Sequence, residues 1–443
     1  MNSPTITFVN HASVIFSYEK INLITDPWLF GSVFNNSWDL VSESKMKIQD
    51  FKDITHIWFS HEHPDHFYPP ILSSIPEVTR KKITVLFQNT LDHRVATKCK
   101  ELGFKVIEMK SNQLYKLANN FQVKCRPYLL YDSLLYLEIG NKKILNLNDC
   151  GVDSLRQAKY IHKITGDVDL LLTQFGYAAH IGDPDDVELR KIASKEKLMR
   201  IKIQSSVFNS KYVIPFASFI RFSHEDNVYM NDEVNKIESV EKFIKQETNS
   251  TPVILYPGDN WILGENNENN EAIELYEKDF TREFEPFKNS PEVEFEELQK
   301  YSDIYIKKIK DKNNWSLIKF FHSISFFKTA KIYVKDLDIS LTFDLVHGIN
   351  KSNFSKSQSD IITDSDSLAF AFKFDYGADT LLANARFHKS GGRTMIFFRQ
   401  FMIGTLNNNG RTFPFGIIGF LLRERSMWKS LFIEAILGNY DFE

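Results

Sequence analysis

Cysteine is scarce in this 443-residue chain, with three in all, at Cys99, Cys125 and Cys150. An odd number so widely spaced excludes a disulfide scaffold and fits a reducing compartment, so a cytoplasmic location is expected. No stretch approaches the ~18 uncharged apolar residues that a membrane span requires, and Met1-Asn2-Ser3-Pro4-Thr5 lacks the basic-then-apolar layout of a signal peptide. A membrane partner is therefore not expected. A surplus of one charge sign is missing too: 54 Lys and Arg face 57 Asp and Glu, so the basic excess that holds nucleic acid is absent. Phenylalanine is what the chain has in plenty. Its 38 Phe, with 17 Tyr and 6 Trp, imply either strongly aromatic cores or a large interaction surface. At 43% apolar and 25% charged residues the composition is that of a globular protein, long enough for about three domains.

Periodicity gives the organisation. The opening reads as a β-hairpin, Ile6 to Val9 and Val14 to Tyr18, which turns at Glu19-Lys20 into Ile21 to Thr25, and the run Ile54 to Phe59 reads as a buried strand that stops at Ser60. Strands and helices then alternate: Lys82 to Phe87, a helix over Leu91 to Leu102, Lys105 to Met109, and a hairpin around Gly140-Asn141. Leu170 to Thr173 and Tyr212 to Phe216 are further strands, Asp185 to Ile203 and Glu233 to Gln246 are helices, and Pro252 to Tyr256 is a last strand. Residues 265–315 are rich in Glu and Asn and read as a charged linker or peripheral helical segment. From 316 to 443 the chain is aromatic and is expected to form a smaller α+β domain, with strands over Ala369 to Phe374 and Met395 to Phe398. Its apolar tail, Phe415 to Leu422, is expected to be core.

Chemistry concentrates in Ser60-His61-Glu62-His63-Pro64-Asp65-His66, directly after the early buried strand. Imidazole and carboxylate suit zinc or iron, and a tight loop at a strand end aims alternate side chains at two neighbouring ions. In that layout His61 and His63 serve one metal, and Asp65 with His66 the other. Asp26 is read as hydrogen-bonding a ligand imidazole, and His11 either does the same or packs. Arg190, Lys191, Lys195, Lys197, Arg200 and Lys202 form a cationic helix flank that holds a nucleotide phosphate or simply faces solvent. His56, His93, His162, His322, His347 and His388 have no ligand-like neighbours in sequence and read as structural.

The spacing His61-x-His63-x-Asp65-His66 resembles the signature of the metallo-β-lactamase superfamily. Within it, Asp26-Pro27-Trp28-Leu29-Phe30-Gly31, Leu145-Asn146-Leu147-Asn148-Asp149-Cys150 and Pro215-Phe216-Ala217-Ser218-Phe219 running into Ser223-His224 resemble the catalytic part of the CMP-N-acetylneuraminate hydroxylase family. This likeness spans about residues 5 to 265, and the remainder loosely resembles a sterol-carrier fold. It implies an αββα metallo-β-lactamase sandwich over 1–264 with two metal ions, iron or zinc. It also implies Asp149 as the carboxylate bridging both metals and His224 as the last ligand of the second. Where the family has a further His, this chain has Tyr128, which is either a phenolate ligand or a sign that the first metal takes its ligand elsewhere. Gln174 replaces an acid in the substrate loop, and His180 lies nearby.

The family implies oxygenase-like action on an activated N-acyl sugar or a nucleotide-linked small molecule. The paired Cys-His spacing of its Rieske centre does not occur around the three cysteines, so electrons would come from a separate protein. The alternatives are a zinc-dependent hydrolase using the same residues, with Asp65 and Asp149 in catalytic roles, and a degenerate metal-binding scaffold.

Overall fold

The computed structural model describes residues 3–129, 131–288, 290–391 and 393–416. The tail expected as core lies outside the described residues from 417 onward.

Two seven-stranded sheets form the first unit. The antiparallel meander Thr5–Asn10, Ser13–Tyr18 and Ile21–Thr25 is extended on one side by Asn260–Ile262 and on the other by the parallel strands His56–Phe59, Thr84–Gln88 and Lys105–Met109. The second sheet runs Thr251–Pro252, Tyr212–Phe216, Leu170–Gln174, Lys142–Asn148, Asp132–Ile139, Phe121–Tyr128 and Leu114–Ala118. Strands this apolar need cover on both faces. Phe8, Phe16, Leu23 and Trp58 of the first sheet meet Val123, Leu135, Leu145 and Leu171 of the second in one buried core. Ile24, Ile57, Phe59, Val85 and Phe87 face away from it and pack with Ile71, Leu72, Val95 and Cys99 of the helices Pro69–Ser74 and Arg94–Glu101. Helices Leu155–Thr165, Val187–Val207 and Ile237–Glu247 cover the second sheet, completing an αββα sandwich.

The stretch 265–315 is built as two helices rather than a linker. Asn269–Thr281 buries Ala272, Ile273 and Tyr276 in the first core, whereas Phe295–Lys312 gives Leu298, Tyr305 and Ile309 to a separate one. That second core belongs to a C-terminal α+β unit around the five-stranded sheet Gly348–Ser352, Ile339–Asp344, Ala330–Val334, Ile361–Thr363 and Phe387–Lys389. Two aromatic runs expected as strands are helices, Ser365–Lys373 and Thr394–Arg399. In the first of these, the Asp364 carboxylate accepts from Ser367 N at 2.6 Å and starts the helix, a cap that outweighs the strand preference of the phenylalanines behind it. Pro252 to Tyr256 supplies only the two-residue strand Thr251–Pro252.

Among the described residues no helix is long and apolar enough to cross a membrane.

Candidate metal centre

The strand His56–Phe59 lies inside the first sheet, between Ile21–Thr25 and Thr84–Gln88, so its C-terminal end opens onto the sandwich edge. Asp26 follows the neighbouring strand and ties the loop down. Its backbone N–H donates to Trp58 O (2.9 Å), and its Oδ1 accepts from Ser60 N (2.8 Å). Its Oδ2 faces His66 Nδ1 at 3.2 Å and also takes the Asn148 amide. A carboxylate on Nδ1 fixes the imidazole so that Nε2 points into the site, as metal-binding histidines require. His66 N and Phe67 N both donate to His63 O (3.0 and 2.7 Å), which closes the loop into a turn.

The two sheets meet at this loop. Strand Lys142–Asn148 delivers Asp149, whose Oδ2 is 3.2 Å from His66 Nε2. Asp65 Oδ2 is also 3.2 Å from that nitrogen, and 3.3 Å from Nε2 of His11. His61 Nε2 lies 2.9 Å from His63 Nδ1, and the His61 and His66 ring centroids are 4.2 Å apart. Two ligand groups result, His61–His66–Asp149 and His11–Asp65–His66, each with its donor atoms within 4.8 Å of one another. Around them four buried polar atoms, His63 Nε2, Asp65 Oδ1, Asp149 Oδ1 and His11 Nδ1, have no hydrogen-bond partner among the described residues. Buried polar atoms are rarely left so, and a donor set of imidazoles and carboxylates with orphaned atoms fits a pair of zinc or iron ions.

Electrostatics agrees with this fit. Burial, helped by the charge on His66, holds the His61 imidazole well below its ordinary pKa, and burial lowers that of His63, so both keep free lone pairs at neutral pH. Burial opposes charge on His66 as well, yet Asp65, Asp149 and Asp26 overcome it and raise its pKa well above the ordinary value. Without metal, an imidazolium therefore stands among the carboxylates where a cation is wanted. Burial and the charge of Asp149 push Asp132 up to about 8. Asp132 and Asp149 are the partly open members, with side chains 17% and 19% exposed, so solvent meets the centre on their side.

Several residues expected at the site lie elsewhere. His224 follows strand Ile220–Phe222, and its Nε2 is 3.0 Å from Ser290 Oγ while its Nδ1 is 3.6 Å from Asp226. Burial and the neighbouring Arg386 push it down to about 4, in a cluster that joins the two units. His11, left open between packing and hydrogen bonding, stands beside Asp65 where His224 was expected. Tyr128 is in the inter-sheet core and its hydroxyl donates to Gly151 O at 2.8 Å, outside both ligand groups. Its strand partner is Asp132, which lies 3.8 Å from His61 Nδ1.

Of the expected substrate residues, Gln174 ends the strand whose Thr173 pairs with Asn148, and it accepts from Lys197 Nζ. His180 instead stacks on Phe387 of the C-terminal unit, with centroids 4.2 Å apart. Arg190 is buried and fully engaged by Asp232 (2.8 and 2.7 Å), Asp183 O and Pro184 O, and Lys191 pairs on the surface with Glu188. Their cationic flank therefore splits: Arg190 is structural, Lys191 is solvated, and Lys197 turns toward the site. Burial, with Arg200 beside it, lowers Lys197 to about 8.

Three groups escaped the sequence reading. Asp132 looks like an ordinary strand opener. Tyr131, whose ring is 4.9 Å from His63, and Tyr376, which hydrogen-bonds Glu62, line the same side. Tyr376 comes from the C-terminal unit, more than three hundred residues along the chain, and no local pattern announces it.

A sequence profile described as a beta-lactamase superfamily domain matches residues 5–124. No curated protein matches the chain. Similar solved structures include CmlA, a diiron beta-hydroxylase from Streptomyces venezuelae, at 15% identity and TM-score 0.41 over 59% of this chain and 55% of that one. Igni18, a metallo hydrolase from Ignicoccus hospitalis, is 12% identical at TM-score 0.40, over 58% of this chain and 97% of that one. An isothiocyanate hydrolase from Delia radicum gut bacteria is 12% identical at TM-score 0.41, over 59% of this chain and 100% of that one. The chain spans about half the length of the CmlA structures it matches.

Proposed function

We propose that this chain is a metal-dependent enzyme acting on a small anionic substrate by hydrolysis. The observation that carries the reading is the meeting of two ligand groups at one point, with Asp65 and Asp149 both 3.2 Å from His66 Nε2. His61 and Asp149, with His63 Nδ1 2.9 Å from His61 Nε2, would hold one ion, and His11, Asp65 and His66 the other. Such a pair of ions acidifies a water and polarises the bond it attacks.

The protein's own groups do the rest. Asp26 fixes the His66 ring, and Ser60 Oγ, 2.9 Å from His61 Nδ1, steadies the His61 ring. Lys197, held by Gln174 at the edge of the second sheet, gives the site one cation for a phosphate or carboxylate of the substrate. Tyr131, beside His63, lies 6.1 Å ring to ring from Tyr376, so the C-terminal unit would border a substrate held there.

A second reading follows from the sequence stretches around Asp26, Asp149 and Phe216. It is oxygenase-like action on an activated N-acyl sugar or nucleotide conjugate, with electrons from a separate protein. To separate the two, zinc- and iron-loaded protein is assayed against phosphoesters, esters and amides, then with reductant and oxygen. Turnover by the zinc form without oxygen supports hydrolysis. Reductant-dependent oxygen consumption by the iron form supports the second reading. Failure of the protein to retain either metal overturns both.

A further inference from the structure

The C-terminal unit carries a second ligand cluster, unconnected to the first. Strand Ile339–Asp344 ends at Asp344, the turn before Gly348–Ser352 sets His347 beside it, and helix Trp315–Ser323 brings His322 from the other side. His347 Nδ1 lies 3.1 Å from each Asp344 oxygen, and His322 Nε2 is 3.4 Å from Oδ1. The three donor atoms are all within 4.8 Å of one another.

Counting lone pairs shows that the protein alone serves this cluster poorly. A carboxylate offers about four acceptor sites. On Asp344, Oδ1 already accepts from Val346 N (2.9 Å) and His347 N (2.8 Å), and Oδ2 accepts from Thr329 Oγ1 (2.8 Å). One lone pair is left, on Oδ2, for two imidazoles that both face the group. A cation resolves the conflict by taking that lone pair together with one from each ring. The spacing suits it: at metal–ligand bonds of about 2.0–2.2 Å, tetrahedral donors lie roughly 3.2–3.6 Å apart, His347 Nδ1 stands 3.1 Å from that Oδ2, and all three donor atoms lie within 4.8 Å of one another. The carboxylate is buried and fixed by backbone N–H groups, whereas the His347 side chain is 64% exposed and leaves an outer position for water.

The helix that carries His322 provides an independent reason for an anchor. Ile318 is its one fully buried residue and Trp315 and Phe321 pack half-buried against the core, while Phe320 and the following Ile324 are 55% and 56% exposed. A nine-residue helix is short enough to depend on such tertiary anchors rather than on its own propensity.

We propose that His322, Asp344 and His347 bind a divalent transition-metal ion of the zinc class, a clip that pins helix Trp315–Ser323 to the C-terminal sheet. It does not depend on the first centre. The test uses the full chain stripped with chelator, dialysed against zinc and analysed for bound metal, as wild type, His322→Ala, His347→Ala and His61→Ala. Each of the first two variants is expected to hold about one zinc fewer than wild type, and zinc should raise the Tm of His61→Ala by more than that of His61→Ala/His347→Ala. His347 is largely exposed, so its replacement leaves the fold intact, which circular dichroism verifies. Equal zinc content in wild type and both clip variants, with no zinc-dependent difference in Tm, would overturn the proposal.

Discussion

Asp26 shows how much a side chain outside the ligand groups controls. It holds His66 Nδ1, Ser60 N and the Asn148 amide at once and is fully buried. Asp26→Ala should therefore weaken metal affinity by roughly 10–100-fold, measured by chelator competition, while His66 itself is still present. A second residue-scale prediction concerns Asp379, whose carboxyl burial pushes up from 3.8 to about 6 in the C-terminal unit. Because the folded value is the higher one, the native state binds the extra proton. The protein is thus favoured below about pH 4 and loses that advantage as pH rises through about 6. Asp379→Asn should be more stable than wild type by roughly 2–3 kcal/mol at pH 7–8, and the two should converge below pH 4, in denaturant titrations.

The same scale explains what the sequence revealed of the site. His61, His63, Asp65 and His66 are contiguous on one loop, so spacing alone exposes them. His11, Asp132 and Asp149 reach the site from three other strands, and only Asp149 was expected as a ligand. His224 was placed by the likeness of its flanking stretch and Tyr128 by a single matching position, and packing sends them elsewhere: one toward Arg386, the other into the inter-sheet core.

At the scale of elements, the sandwich was legible because its strands are continuous apolar runs between turns. The C-terminal unit was harder. Phe-rich alternation such as Ala369 to Phe374 satisfies a strand pattern and a buried helix equally, and the outcome is set by the Asp364 cap. Phe295–Lys312 hides its apolar line, Leu298, Tyr305 and Ile309, among charges that cover the other faces. The cap of Leu155–Thr165 offers a clean control. Ser154 accepts from Gln157 N while Gln157 returns to Ser154 N, so Ser154→Ala should cost about 1 kcal/mol in denaturant unfolding and leave metal content unchanged.

Over the whole molecule the two units meet at a buried ionic joint. Arg386 is 1% exposed and bonds Asp364 (3.1 Å), Asp366 (3.3 Å), Ser290 Oγ (2.6 Å) and Asn35 O (3.1 Å), the last from the sandwich. Removing it strands two carboxylates in a place water barely reaches. Arg386→Ala should cost about 3–5 kcal/mol by chemical denaturation. Nearby, Asn384 O accepts from Asn227 Nδ2 at 2.7 Å and Tyr376 meets Glu62 of the metal loop, so loosening the joint should also broaden access to the site.

All of this turns on whether ions sit where the two sheets meet. Crystals of the zinc- or iron-loaded full chain, measured on both sides of the metal absorption edge, answer it by anomalous scattering. The account predicts two peaks flanking His66 Nε2, one within bonding distance of His61 and Asp149 and one of His11 and Asp65. A loaded protein with no anomalous peak at that edge would contradict it.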